Sequence, residues 1–246
     1  MDVSTMKKVL LTCFTLLPLL AKADGSIGIV GDYSQSLYKD PDNQTKVLPS
    51  FSYEGERAYV KLPEIGYHLI PKASYQSLSV GLRYQPSAFD PDDSNDSHIQ
   101  LMDDRDDSTM AVVNYRWGPV SLKMAQDISG VHDGYFGQVS LGYPIQTSIW
   151  QLIPSVSYRY LSDKMSDYLF GVSSSDASRT GGSISAYDAP STTELSVGIR
   201  AIYPISPNTS FMLNVKHTEY DEEIKQSPIV TENKINSITA ALLYNF

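Results

Sequence analysis

The sequence predicts an all-β protein, a transmembrane antiparallel up-and-down β-barrel of a Gram-negative outer membrane. Three observations lead to this prediction: an export signal at the N-terminus, apolar and polar residues that alternate along twelve segments, and short connections that alternate with long ones. Each segment would present one apolar face and one polar face. Strands with lipid on one side and an aqueous interior on the other have this pattern.

The N-terminal segment has the features of a cleavable secretory signal. Lys7 and Lys8 precede an apolar run from residue 9 to residue 20, and the small-residue site Ala21-Lys22-Ala23 follows. The run is shorter than the roughly 20 apolar residues that a membrane-spanning helix needs. We therefore predict a signal peptide at residues 1–23 and a barrel at residues 24–246.

Cysteine content and charge narrow the choice of compartment and partner. Cys13, the single cysteine, lies in the apolar run and would leave with the signal, which suits export through an oxidising compartment. Residues 24–246 carry 16 basic and 27 acidic residues, a net charge of −11. This charge argues against nucleic acid as a partner.

The clearest alternation lies in the last segment of the chain. From residue 238 onward the even-numbered positions are apolar. Ser237, Thr239 and Asn245 at odd positions are polar, with Ala241 and Leu243 between them. The apolar positions are Ile238, Ala240, Leu242, Tyr244 and Phe246. A strand of period two that ends on an aromatic residue is typical of the lipid-facing wall of a barrel.

Extending the same count predicts an up-and-down order with tight turns at one end. The candidate strands lie near residues 26–38, 46–53, 56–62, 65–70, 75–86, 109–117, 119–128, 133–143, 148–161, 192–204, 209–220 and 234–246. The tight connections are Glu54-Gly55, Pro71 to Ser74, Gly118-Pro119, Pro144 to Thr147 and Ile205 to Asn208. The third and fourth strands are short, so the count is ten or twelve, and an even number closes a barrel without an edge.

Aromatic and charged residues favour a barrel in lipid over a soluble β-sandwich or a lipocalin-like barrel. Five aromatic residues precede a predicted periplasmic turn or the chain end, as in an interfacial girdle: Tyr53, Trp117, Tyr143, Tyr203 and Tyr244. Six basic residues share the predicted lumen face: Arg83, Arg116, Lys123, Arg159, Arg200 and Lys216. A soluble apolar core would reject these charges.

Two parts of the sequence carry a family resemblance. The C-terminal Leu242, Tyr244 and Phe246 are similar to the signal by which the outer-membrane assembly machinery recognises barrels. The long loop contains Tyr168, Leu169, Phe170, Gly171, Val172, Ser173, Ser174, Ser175, Asp176 and Ala177, followed by Gly181, Gly182 and Tyr187. With Glu54-Gly55, Gly66-Tyr67 and Leu69, this loop resembles the MipA/OmpV family, although an acid one carbon longer is more usual at Asp176.

The resemblance implies a location and a set of partners. Family members are outer-membrane barrels, implicated as a scaffold linking a lytic transglycosylase to a penicillin-binding protein in murein synthesis, or in adhesion or osmotic response. The expected partners are outer-membrane lipid and lipopolysaccharide, the barrel assembly machinery during biogenesis, and a murein hydrolase or synthase. The family has no shared catalytic residues, and no cofactor is expected.

Three hypotheses for function follow. The first is a non-enzymatic interaction protein of the MipA/OmpV type. The second is a narrow channel for small anionic solutes, in which the six basic residues of the lumen face form a positive lane. The alternative arrangement, which is favoured, is that these residues pair into ion-pair networks that fill or narrow the lumen. The third is a hydrolase built on His132 with Asp133, or on His217 with Glu219, but no nucleophile or zinc spacing accompanies either pair.

The acid-rich loop at residues 90–107 raises the question of a calcium site. Asp90, Asp92 and Ser94 have the odd-position spacing of a calcium loop. Asn95 stands where the turn glycine belongs, however, and Leu101 stands where the closing glutamate belongs. A solvated loop with at most weak divalent-ion binding is therefore favoured, and no metal ligand is assigned.

Overall fold

The computed structural model describes residues 24–39, 45–71, 75–87 and 89–246. The predicted signal peptide, residues 1–23, lies outside the described residues and stays a prediction. Residues 72–74, which belong to one predicted periplasmic turn, also lie outside them.

The described chain consists mainly of antiparallel strands. The strands are β1 (Asp24–Ser34), β2 (Thr45–Glu54), β3 (Ala58–Lys61), β4 (Glu64–Ile70), β5 (Gln76–Gln85), β6 (Ser108–Trp117), β7 (Val120–Asp127), β8 (Tyr135–Gly142), β9 (Ile145–Gln146), β10 (Gln151–Leu161), β11 (Thr192–Ser206), β12 (Thr209–Tyr220) and β13 (Lys234–Asn245). The helices are α1 (Asp163–Phe170) and α2 (Ser174–Arg179), with short 3-10 turns at Pro91–Asp93, Ile99–Leu101 and Glu222–Gln226. Within the described part of the chain, no helix is long and apolar enough to cross a bilayer.

The strands close into a barrel, which confirms the predicted fold. β13 pairs with β1, and β10 pairs with β11, so the sheet returns on itself. β8 and β9 both pair with β10 and form one interrupted strand, so the described residues build a wall of twelve strands. Closure matters because lipid offers no partner to an unpaired backbone group.

Two predicted strand boundaries are wrong. The turn expected from Pro144 to Thr147 occurs later in the chain. Pro144 has no N–H to donate and interrupts the strand, but pairing with β10 resumes after it at Ile145–Gln146. The chain reverses where Trp150 N–H donates to Thr147 Oγ1 at 2.8 Å. Strand β1 ends at Ser34 rather than near residue 38, and the next residues turn towards the barrel interior, where Leu37 is buried.

The two faces of each strand differ as the alternation predicts. On β11, Leu195 and Val197 are 47% and 48% exposed, whereas Glu194 and Ser196 between them are each 4% exposed. The exposed face is apolar and would contact lipid, and the buried face lines the lumen. The first and last strands meet at the periplasmic side, where the Phe246 and Gly25 backbones exchange hydrogen bonds of 3.0 and 3.1 Å.

One periplasmic turn shows why its sequence is required. Gly118 links β6 to β7 with φ of +55°, a left-handed conformation that glycine adopts without strain. A Cβ atom at this position would lie 2.6 Å from the hydroxyl of Tyr75. The tight Gly118-Pro119 connection therefore depends on glycine for both conformation and space.

Candidate functional site

The long loops fold together over the external end of the barrel. We call the described parts of residues 35–39, 86–107, 162–191 and 221–233 the loop cap. Its apolar core includes Leu37, Phe89, Ile99, Phe170 and Ile229, each no more than 4% exposed. This core continues into the upper lumen through Met110 and Val112 of β6 and Phe136 of β8.

The C-terminal end of α1 joins the loops of the cap. Ser162 caps the other end of this helix by accepting from Met165 N–H at 3.3 Å. The last carbonyls of a helix have no partner within the helix and need donors from elsewhere. Here Tyr38 donates to the carbonyl of Leu169 at 3.0 Å, and Ser227 donates to the carbonyl of Phe170 at 2.6 Å.

Arg105 is the main donor to this helix end. Its guanidinium donates to the carbonyls of Tyr168 and Leu169, and to that of Gly171 at 2.8 Å. The same guanidinium lies 4.5 Å from the centre of the Phe89 ring. A positive charge is also favourable at the negative end of the helix dipole. Arg105 therefore ties the loop at residues 86–107 to α1.

The motif that carries the family resemblance, in residues 168–177, connects two parts of the loop cap. Asp176 accepts from Asp103 N–H at 2.9 Å and also receives the Ser173 hydroxyl at 2.6 Å. A Cβ atom at Gly171 would lie 2.2 Å from Asp167, so this position needs glycine for space. The shorter acid at Asp176 thus still joins α2 to the loop at residues 86–107.

An ion-pair network centred on Glu64 occupies the middle of the lumen. Its carboxylate accepts from the Tyr59 hydroxyl at 2.7 Å, the Asn114 amide at 2.8 Å and the Lys123 ammonium at 2.8 Å. Glu64 is 7% exposed, and Arg83 is its ladder partner on β5. Pairing and hydrogen bonding compensate for burial of these charges.

A second ion pair lies on the opposite wall. Arg159 donates to Glu194 and to Gln138, each at 2.9 Å. Arg83 lies within electrostatic reach of both Glu64 and Arg159, so charged side chains reach across the lumen between the two walls. Of the six basic residues singled out from the sequence, Lys123 and Arg159 form ion pairs. Arg83 interacts with Glu64 at longer range, and its buried Nε has no hydrogen-bond partner among the described residues.

The other three basic residues lie elsewhere on the lumen face. Arg116 and Arg200 line a cavity of about 590 Å³ at the periplasmic end, together with Ser121, Ser140, Ser155 and Asn214. We call this cavity the arginine vestibule. Among the described residues that line it, the charged side chains are these two arginines. Lys216 lies outside it, opposite Gly198 and Ser237.

The histidine pairs considered for hydrolysis are not assembled. The carboxylate of Asp133 pairs with Lys164 at 3.5 Å. On the outer face, His217 contacts Asn236 at 2.8 Å, while Glu219 pairs with Lys234 at 3.0 Å.

A serine does lie beside His132, but its geometry does not fit a nucleophile. Ser108 Oγ is 3.3 Å from His132 Nε2, and Ser108 is 1% exposed, so a substrate could not reach it. Nδ1 of His132 accepts from Gly134 N–H at 2.9 Å. A catalytic base would need a carboxylate at that position to orient its ring.

The acid-rich loop uses its carboxylates in internal contacts. Asp90 accepts from Asp92 N–H at 3.0 Å, and Ser94 donates to the carbonyl of Lys39 at 3.1 Å. Asp96 pairs with Lys39 at 2.6 Å, and this ion pair lowers the pKa of Asp96 to about 2. In the described part of the chain, no group of three or more metal-ligating His, Cys, Asp or Glu side chains occurs.

His132, in the loop between β7 and β8, contacts the loop cap and makes it sensitive to mild acid. Its ring stacks on Tyr168 at 4.5 Å, and burial lowers the pKa of His132 from its ordinary value of 6.5. Protonation of Nδ1 would also remove the bond from Gly134 N–H. At a pH between the lowered pKa of His132 in the folded loop and its ordinary value, His132 binds more protons in the unfolded loop than in the folded loop. Cap stability therefore falls as pH drops through this window.

We expect external protease to cleave the loop cap faster at about pH 5.5 than at about pH 7.5, with part of this difference lost in His132→Gln. The measurement is proteolysis of intact cells at both pH values with an acid-tolerant protease. His98→Gln is the control, because that side chain lies on the same cap but is 51% exposed. An unchanged pH response in His132→Gln would contradict the assignment.

Comparison with known proteins gives consistent matches over the length of the chain. A family model described as MltA-interacting protein MipA matches residues 27–246. The outer membrane protein YiaT of Escherichia coli K12 is 30% identical over 237 residues, which cover 94% of this chain and 95% of that protein. The MltA-interacting protein of the same strain is 24% identical over 233 residues, with 92% and 93% covered. An outer membrane channel of Pseudomonas putida F1 shares 10% identity, with a TM-score of 0.45 over 92% of this chain and 96% of that chain.

Proposed function

The chain belongs to the MltA-interacting protein MipA family of outer membrane barrels, and from that premise we propose that it is a non-enzymatic interaction protein of the cell envelope. The barrel anchors the protein in the outer membrane, and its periplasmic turns bind a murein hydrolase or synthase. One relative is named for interaction with MltA, which supports this class of partner.

The observation that carries the proposal is the filled interior of the barrel. Ion pairs such as Glu64 with Lys123 and Arg159 with Glu194 occupy the lumen, and the loop cap packs over its external end. Such an interior supports a rigid anchor better than a wide pore, because opening it would expose the apolar core of the cap. A rigid barrel holds its turns in a fixed arrangement for a partner.

The periplasmic surface available to a partner is small but apolar. The turn between β9 and β10 carries Ile149 at its tip, 54% exposed, and Tyr143 nearby is 64% exposed. Exposed apolar residues beside the membrane surface can contact a partner as well as lipid headgroups. The contact with a murein enzyme should therefore be weakened by a charge at this turn.

We expect Ile149→Asp to reduce the murein hydrolase or synthase that co-purifies with the protein several-fold. The measurement is pull-down from crosslinked intact envelopes, with the captured proteins identified by mass spectrometry. Leu101→Asp is the matched control, because Leu101 is 51% exposed at the opposite end of the barrel. Capture of no murein enzyme by the unaltered protein would end the proposal.

A second candidate function is a narrow channel for small anions, and the arginine vestibule favours it. A cavity whose charged lining residues are Arg116 and Arg200 concentrates anions at the periplasmic mouth. The serine and asparagine side chains in its lining can donate hydrogen bonds to an anion. The ion pairs deeper in the lumen would limit the size of the solute.

In this case Arg116→Glu and Arg200→Glu should each lower the anion-to-cation permeability ratio several-fold, because each reverses one charge at the mouth. The measurement is the reversal potential of single channels in planar bilayers under a salt gradient. Lys225→Glu in the loop cap is the control, since it makes the same change in net charge far from the vestibule. Equal selectivity in all three variants would exclude the vestibule as an anion filter.

A further inference from the structure

The barrel wall has a gap beside β2. This strand runs over Thr45–Glu54, but β3 pairs with it only from Ser52 to Glu54. The short hairpin of β3 and β4 turns back at Leu62 and Pro63, so it covers only the periplasmic part of β2. Among the described residues, the rest of β2 pairs with β1 alone. The gap is the width of two missing strands, about 10 Å at the usual strand spacing.

The edge of β2 that has no partner among the described residues lies at a depth where lipid surrounds the barrel. Gly25 directs its backbone groups to Phe246, which follows β13. By strand alternation, the backbone groups of Val47 and Pro49 therefore face away from β1. Val47 is six residues from Tyr53, or about 20 Å along the strand, within an apolar band about 25 Å tall on tilted strands. Pro49 has no N–H, so this edge has one fewer donor that needs a partner.

Backbone at this depth is tolerated only where it is covered by protein or lines a water-filled space. Both faces of β2 are exposed here: Val47 on the outer face is 67% exposed and Leu48 on the lumen face is 57% exposed. Because no described strand covers this part of β2 on the side away from β1, the lumen opens sideways here, towards the outer leaflet.

A cavity lies directly behind the gap. It has a volume of about 390 Å³ and is bounded by Lys46 of β2 on one side and by Ser87 and Phe89, after β5, on the other. Its apolar lining includes Leu37 and Phe170, and its charged lining residues are Asp32, Lys39, Lys46, Asp90 and Asp93. A cavity of this size with an apolar part and charges of both signs matches a small amphiphile.

We propose that the gap is a lateral portal through which a single-chain zwitterionic amphiphile of the lysophospholipid class passes from the outer leaflet into this cavity. The ammonium and phosphate groups meet Asp90 or Asp93 and Lys46, and the first part of the acyl chain lies against the aromatic and aliphatic lining. The rest of the chain stays in the portal, because a cavity of about 390 Å³ does not hold a whole lysophospholipid. This activity goes beyond the interaction proposed above and does not depend on it.

The first test measures access of lipid to the gap. Residues 24–246 contain no cysteine, so single-cysteine variants can be labelled with a fluorophore directly. In vesicles whose phospholipid chains carry a nitroxide quencher, the label at Leu48→Cys should be quenched almost as strongly as at the lipid-facing Val47→Cys. The control is Ser157→Cys, a lumen-facing position on the fully paired β10, which should be quenched weakly. Equal protection of positions 48 and 157 would overturn the portal.

The second test measures binding of the amphiphile itself. Protein in nanodiscs, titrated with a fluorescent palmitoyl lysophosphatidylcholine, should show one saturable site, weakened at least tenfold by Leu37→Trp, which fills the cavity. Leu122→Trp, on the lipid face of β7, should leave binding unchanged. Absence of saturable binding, or equal binding in the two variants, would overturn the proposal. So would efficient Val47→Cys disulfide dimers in the membrane, which would show that a second copy covers the edge.

Discussion

Replacing Arg105 with alanine is expected to open the loop cap. The substitution removes the donor shared by the carbonyls of Tyr168, Leu169 and Gly171 at the end of α1. A buried carbonyl without a partner costs roughly 1–3 kcal/mol, so the cap should lose about 3 kcal/mol or more. Arg105→Lys should recover only part of this loss, because an ammonium group cannot reproduce the planar fork of donors.

The measurement is the rate at which proteinase K cleaves the cap on intact cells. A loss of about 3 kcal/mol raises the population of open caps by roughly two orders of magnitude, and cleavage should rise accordingly. Arg179→Ala is the matched control: its side chain is 40% exposed and forms surface pairs with Asp103 and Asp176. Such pairs contribute about 0–1 kcal/mol. Similar cleavage of the two variants would show that Arg105 does not hold the cap.

Glu64→Ala should destabilise the whole barrel and change its interior. It leaves the hydroxyl of Tyr59, the amide of Asn114 and the ammonium of Lys123 without their common acceptor. Breaking a buried ion pair by removing one partner costs roughly 3–5 kcal/mol. The lumen would also gain net positive charge beside Arg83, so any conductance should become more anion-selective.

The free energy of unfolding can be measured by urea titration of the protein folded into lipid vesicles. The double variant Glu64→Ala with Lys123→Met should regain part of the loss, because it leaves no uncompensated ammonium in the network. Glu219→Ala is the control, since its ion pair with Lys234 is exposed on the outer face. A loss no larger than that of this control would contradict a supporting role for the Glu64 network.

The strands could be predicted from the sequence because lipid and lumen impose alternation at every position. On β11 and β13 this pattern holds over most of the strand, although Ile202, Ala241 and Leu243 place apolar residues on the lumen face. The predicted boundaries lie within two residues of the observed ones. The predicted strand boundaries were wrong where packing in the loop cap or pairing with a neighbouring strand decides where a strand ends. β1 ends early because Leu37 and Tyr38 pack into the loop cap, and pairing continues past Pro144 because β10 still offers a partner beyond it.

The site was less accessible from sequence because its contacts join distant segments. Glu64 stands in a short strand of weak pattern, and its partners Asn114 and Lys123 lie 50 and 59 residues away. Arg105 is surrounded by Asp103, Asp104, Asp106 and Asp107, so the acidic run concealed it. The signal in the sequence was the single arginine within this acidic run, because a buried structural role explains a lone basic residue there.

The central claim is that this chain forms a β-barrel, with strand pairing that runs all the way round, and that it folds only in lipid or detergent. Gel migration of outer-membrane fractions, loaded with and without boiling, tests it most directly. The unheated protein should run as a compact band that migrates differently from the boiled band, as expected for a barrel that resists detergent. Identical migration of the two samples, together with a soluble, folded monomer in buffer without detergent, would contradict the claim.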